Sequence, residues 1–167
     1  LQNTLISGNI ADNYGGGILA LGPSEQSATI SHINTTIVSN SAGEAGGAIY
    51  AFLYNLILTN TIIWDNGLES IAGEMDEIII SYSDIEGGWE GETNINANPL
   101  FNSPENGDFT LQAYSPCIDM GTADIDGDGN EDITDYYGQA PDMGAFERIC
   151  ESNTFDLCGI CDGDCNS

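Results

Sequence analysis

"NTLISGN" at residues 3–9 returns as "NTTIVSN" at 34–40 and as "NTIIWDN" at 60–66, with a weaker echo, "SYSDIEG", at 81–87. The first three copies carry asparagine at both ends and apolar or β-branched residues between them, a composition that favours strand. Asparagine at a strand end suits a corner, because it tolerates left-handed backbone and hydrogen-bonds through its side chain. The intervals between copies are 31, 26 and 21 residues. Two further units recur inside those intervals. "YGGGILA" at 14–20 is matched by "AGGAIYA" at 45–51, and "SATISHI", "YNLILTN" and "DEIIISY" each run directly into the next copy of the first unit. Each repeat therefore holds about three short strands separated by Asn or Gly.

Constant strands with variable spacing predict an all-β solenoid, a parallel β-helix. Successive coils stack at the strand spacing of about 4.8 Å, apolar side chains line the interior, and loops project from the corners. A sandwich of hairpins is the competing arrangement, but it wants two-residue turns such as Asn-Gly between its strands. Asn66-Gly67 is one instance, and Asn106-Gly107 lies outside the repeats. The coils are assigned to residues 1–93, a C-terminal cap to 94–148, and a Cys-rich tail to 149–167.

A different pattern occupies "ADIDGDGNEDITDYYG" at 123–138. So many aspartates repel one another unless a cation joins them. A twelve-residue Ca²⁺ loop takes oxygens from positions 1, 3, 5, 7, 9 and 12, with glycine at position 6. Those positions are Asp124, Asp126, Asp128, Asn130 (through its backbone carbonyl), Asp132 and Asp135, and Gly129 falls on position 6. Oxygen donors of this hardness select Ca²⁺ over soft metals. Position 12 is Asp where a longer Glu is usual. The segment resembles the calcium loops of dockerins and thrombospondin type 3 repeats.

Composition removes whole classes of function. The chain has 27 Asp and Glu against one Lys or Arg, a net charge of −26 over 167 residues. Phosphate binding needs Lys and Arg, so nucleic acid is excluded, and anionic membrane surfaces are disfavoured for the same reason. Membrane insertion by a helix is not expected, since the longest apolar run, "AIYAFLYNLIL" at 48–58, is short and broken by Asn55. The chain opens without Met or a signal peptide, which fits a removed leader or a piece of a longer protein. Of five cysteines, Cys117 stands alone and Cys150, Cys158, Cys161 and Cys165 crowd the tail. One C-x₂-C pair leaves a zinc site open, while two disulfides in an exported protein, with Cys117 a buried thiol, fit the acidic tail better.

Residues 94–148 carry a family resemblance. Asn98-Pro99-Leu100-Phe101, Gly107-Asp108-Phe109 with Leu111, Ser115 through Gly121, and Asp142 through Glu147 resemble the C-terminal end of right-handed parallel β-helix proteins of the pectate-lyase-like architecture. The resemblance implies a secreted or cell-surface bacterial protein. A solenoid exposes apolar residues and open strand edges at its last coil, and Phe101, Phe109 and Phe146 are expected to cover that end. The tail resembles short C-G-x-C-x-G-D segments of secreted bacterial proteins.

The expected role is that of a calcium-binding extracellular structural or adhesive module, such as a stalk, fibre or filament-forming adhesin. The alternative is the C-terminal part of a polysaccharide-active lyase or hydrolase with its catalytic site upstream. No catalytic residue is assigned within these residues. Lyases of the resembling family use an Arg or Lys base, and this chain has only Arg148, at the end of the cap. His32 reads as an ordinary strand residue. Trp64, Trp89, Tyr50, Tyr54 and Tyr82 are candidates for a sugar-stacking strip, which makes a glycan one candidate partner. The first coil, with Leu5 and Ile6, opens on an uncovered edge, so further coils of the same chain or a stacking subunit are expected against it.

Overall fold

The structure, a computed structural model, describes residues 1–22, 28–67 and 69–149. The four tail cysteines lie outside these residues. The described chain is all-β, its one helical element being a single 3₁₀ turn at Pro104–Asn106. Among the described residues no helix is long and apolar enough to cross a membrane.

The first repeat contributes β1 (Gln2–Ser7), β2 (Ile10–Ala11) and β3 (Ile18–Leu21). The second begins within β4 (Ala28–Val38) and adds β5 (Ser41–Ala42), β6 (Ile49–Phe52) and β7 (Tyr54–Thr59). The third holds β8 (Ile62–Trp64), β9 (Ile71–Ala72) and β10 (Met75–Ser81), and a fourth starts at β11 (Asp84–Ile85). Equivalent strands pair in parallel. β1, the C-terminal half of β4, β8 and β11 form one stack. The N-terminal half of β4, β7 and β10 form a second, and β3, β6 and β9 a third. β4 belongs to two stacks because the chain turns at Asn34, whose φ is 48°. The sheet it spans is therefore curled.

The same left-handed corner recurs at Asn3, Asn60 and Tyr82 (φ 49, 52 and 49°), and a second recurs at Gly8, Ser39 and Asp65 (φ 67, 54 and 51°). Behind the first corner a hydroxyl always reaches back to the carbonyl two residues earlier. Thr4, Thr35, Thr61 and Ser83 make this bond at 2.8, 3.2, 3.1 and 2.7 Å. Such local side-chain bonds supply the backbone with partners where the ladder breaks. The second corner is followed by Asn9, Asn40 and Asn66, which form the side-chain ladder expected from sequence.

Register confirms two of the three intervals and corrects the third. Equivalent residues lie 31 apart between the first and second repeats and 26 apart between the second and third. Between the third and fourth they lie 22 apart, as Ile62 pairs with Asp84 and Ile63 with Ile85. A one-residue slip exchanges the faces of a strand. The observed register sends Ile85 inward with Ile37 and Ile63, and places Asp84 on the outer face beneath the cap.

One core collects residues from all three stacks: Ile37, Ile63 and Ile85 from the first, Leu56, Leu58 and Ile80 from the second, Ile49 and Ala51 from the third. A second cluster lies on the outer face of the first stack. There Val38 and Ile62 meet Phe101, Phe109, Leu111, Cys117 and Met143. Phe101 in β12 (Phe101–Ser103) and Phe109 in β13 (Asp108–Leu111) touch edge to face, 5.4 Å apart, across an antiparallel hairpin. The cap aromatics thus pack along the flank of the repeats, where sequence reasoning had them covering the end. The fourth repeat is instead flanked by the segment after β11. Trp89 packs on the first core, Ile95 bridges to Asp84, and the Ile85 amide donates to the Ile95 carbonyl at 3.0 Å.

Candidate functional sites

The acidic segment folds back on itself. Ala123 O accepts from the amides of Asp132 (2.8 Å) and Ile133 (3.0 Å), closing the loop between them. Asp124 organises the interior: its carboxylate accepts from the amides of Gly127 (2.8 Å), Asp128 (3.2 Å) and Gly129 (2.9 Å). Gly129 has φ 88°, the left-handed turn that position 6 of a calcium loop requires. Carboxylate oxygens of Asp124, Asp126 and Asp128 all lie within 4.8 Å of one another. Like charges about 4 Å apart repel by about 1 kcal/mol even in water, so the three carboxylates destabilise one another as they stand. Asn130 donates its amide and side chain to Asp128 at 2.8 and 2.9 Å, and Asp132 accepts from the Ile125 amide at 2.8 Å. Asp132 and Asp135 stand outside the group of three. Both line a polar groove of about 360 Å³ with Gln2, Asn3, Asn34 and Glu147.

The cap is fixed to the repeats by a short strap, residues 141–148. Met143 N donates to Cys117 O (2.9 Å), Gly144 N to Asn60 O (2.8 Å) and Ala145 N to Thr36 Oγ1 (3.0 Å). Two carboxylates hold the strap's shape. Asp142 accepts from the amides of Asp119 (2.9 Å) and Arg148 (2.8 Å), while Glu147 accepts from those of Asp142 and Tyr137, both at 3.0 Å. The Asp142-to-Glu147 motif seen in sequence is thus a structural clasp. Burial, followed by the neighbouring charge of Glu147, pushes the Asp142 carboxyl up to about 7.

Asp84 is the residue that sequence reasoning missed. It takes the register position of Leu5, Thr36 and Ile62, and is fully buried under the cap. Cys117, the buried free thiol expected from sequence, donates its S–H to Asp84 Oδ2 at 3.2 Å, and the Ala97 amide donates to Oδ1 at 3.1 Å. Burial pushes Asp84 up to about 6, and burial together with Asp84 raises the thiol far above its ordinary value. A thiol so raised is not a nucleophile. Asp84 is the one acid in a column otherwise made of Leu5, Thr36 and Ile62, a position that shows only once the register is known.

His32 is buried in β4, and its Nδ1 has no hydrogen-bond partner among the described residues. Loss of hydration lowers it to about 4, leaving it neutral. The five candidate stacking aromatics do not form a strip. Trp64 packs on the outer cluster, Trp89 and Tyr54 on the inner core. Tyr50 meets Tyr14 with ring centroids 4.6 Å apart and planes tilted by 37°, and the Tyr82 hydroxyl donates to Glu92.

With this geometry in place, the comparisons fall on the repeats. The model of the Chlamydia polymorphic membrane protein repeat matches residues 3–21 and 34–51. Both matched segments begin at the Asn corner and end in the third stack, one in β3 and one in β6. Their starts are as far apart as their paired residues in the structure. Neither a pectate-lyase nor a dockerin model matches. No curated protein and no solved structure matches the chain.

Proposed function

We propose that this chain is a calcium-binding, extracellular structural or adhesive module, displayed at the cell surface and built as a right-handed parallel β-helix. The observation that carries the reading is the coincidence of the membrane-protein repeat match with the structural repeat. Parallel strands joined by crossovers are right-handed in about 98% of cases, which supports the hand. All three stacks feed one core, which supports closure of the coil. Clustering of Asp124, Asp126 and Asp128 supports Ca²⁺, with Asn130, Asp132 and Asp135 drawn in by the ion. Among the described residues β1, β2 and β3 pair on one side only. Their free edge suits further coils of the same chain or a stacking subunit, and repeated stacking of copies gives a filament.

Protease treatment of intact cells that express the protein tests the placement. Cleavage without cell lysis is expected; protection until lysis overturns it. An assay of the purified chain on polysaccharides tests the absence of catalysis, and turnover by this chain alone would displace the structural reading.

A further inference from the structure

We infer that the cleft between the outer face of the first stack and the cap hairpin is a binding site for a neutral saccharide. The cleft has a volume of about 320 Å³. One wall is Trp64 at the end of β8, with Ser39 and Asp65 at the left-handed corners. The other is Asn98, just before β12, Pro104 of the 3₁₀ turn, and Gln112, just after β13. Trp64 is half-buried: it packs on the outer cluster and also lines the cleft.

The polar groups are held in place before any ligand arrives. Ser39 Oγ donates to Asp65 Oδ2 at 3.0 Å, and the Asp65 amide donates to Glu86 at 2.8 Å. Gln112 Nε2 donates to Phe101 O at 2.7 Å, which fixes the carboxamide plane. Asn98 Oδ1 accepts from the Leu100 amide at 3.0 Å, which anchors that carboxamide as well. An indole with a carboxylate and two carboxamides around it matches a pyranose ring. The ring's C–H face stacks on the aromatic surface, and its hydroxyls, each both donor and acceptor, satisfy the acids and amides. The volume is at the low end for ligand pockets and suits a terminal mono- or disaccharide unit.

Charge selects the class of sugar. No basic residue lines the cleft, and the chain carries a net charge of −26, so uronates, sulfates and phosphates are repelled. This binding role goes beyond the surface reading and makes no use of the acidic loop.

Saturation-transfer NMR on the full chain tests it, with methyl glycosides and disaccharides of glucose, galactose, mannose and N-acetylglucosamine as probes and polygalacturonate as the anionic control. Measurements in calcium and in chelator separate this site from the metal site. Transfer to at least one neutral probe is expected, with about tenfold weaker binding in Trp64→Tyr and in Gln112→Ala. Thermal melts of both variants establish that they are folded. No transfer to any neutral probe, binding that survives both substitutions, or binding restricted to polygalacturonate would overturn the inference.

Discussion

The side-chain amide of Asn40 donates to Asn66 Oδ1, one repeat on, at 3.0 Å, and Asn40 Oδ1 accepts from Asn9, one repeat back, at 2.9 Å. The same Nδ2 also donates to the carbonyls of Ile6 (2.9 Å) and Val38 (3.1 Å), and Oδ1 takes the Asn9 backbone amide at 3.0 Å. Asn40 is buried, so water replaces none of these partners. Asn40→Ala leaves several buried polar groups unpaired, at about 1–3 kcal/mol each, and a loss of at least about 3 kcal/mol is expected. Asn9→Ala at the exposed end of the ladder should cost about 1 kcal/mol. Urea denaturation of both variants checks the difference; equal costs would mean that the ladder is not cooperative.

Calcium should stabilise the fold. Extracellular calcium modules bind at about 10⁻⁴–10⁻³ M, and an ion held at about 100 times its Kd adds about 2.7 kcal/mol. Chelator should lower Tm, and Asp128→Ala should abolish the chelator's effect, since Asp128 belongs to the group of three clustered carboxylates. A melting curve indifferent to chelator in the unaltered protein sinks the calcium assignment.

The repeat architecture was legible because the corners are spelled out. Asn34, Asn40, Asn60 and Asn66 mark turns and ladder rungs directly, and their spacing equals the pairing register for the first three repeats. The fourth repeat misled because β11 is only two residues long and starts with Asp84, so nothing in its pattern told which face was inward. Cap docking was illegible for a different reason. Phe101 and Phe109 stood out as covering residues, but whether they meet the end of the coil or its flank depends on Val38 and Ile62, distant in sequence. The spacing of the acidic loop could be read from sequence, and Gly129 adopts the left-handed turn expected at its sixth position. What sequence could not supply is the company of Asp135, which lies in the groove beside Gln2 and Asn3.

Glycine at 16 is required by contact with the next repeat. A Cβ there would lie 2.5 Å from both Gly47 O and Ser41 O, backbone atoms that cannot rotate away. Gly16 N also donates to Gly46 O at 3.0 Å, so the loop cannot slide without losing the ladder. Gly16→Ala should destabilise by about 3 kcal/mol. Gly8→Asn is the control: its backbone is left-handed, nothing lies within 4 Å, and Ser39 and Asp65 already occupy the equivalent corner. Its effect should stay within about 0.5 kcal/mol. A comparable loss in both variants would show that backbone strain, not contact, sets the requirement.

The pH dependence of stability should reverse the usual acid trend over part of its range. Asp84 and Asp142 have folded values of about 6 and about 7, above the unfolded carboxyl value, so the folded state holds their protons more tightly. Their contribution to stability is therefore lost as pH rises through 6 and 7, and is fully present only below the unfolded value of about 4. His32 works in the opposite sense. Its folded value of about 4 is below the unfolded 6.5, so its contribution is present above 6.5 and is lost as pH falls toward 4. Two carboxyls outweigh one imidazole, so Tm should decline from about pH 4.5 to about 7 as Asp84 and Asp142 ionise in a buried setting. The opposing acid limb of His32 only partly offsets this alkaline limb below 6.5. Asp84→Asn should flatten the alkaline limb, because a neutral amide keeps an acceptor for the Cys117 thiol without titrating. His32→Leu should lift the acid limb and add about 1 kcal/mol near neutrality, since it removes a buried, unpartnered nitrogen and matches Leu58, its partner in the adjacent strand. Calorimetric melts of the three proteins between pH 4.5 and 8.5 resolve the two limbs. An alkaline limb unchanged in Asp84→Asn would trace it to general repulsion among the 27 acids and not to the buried pair.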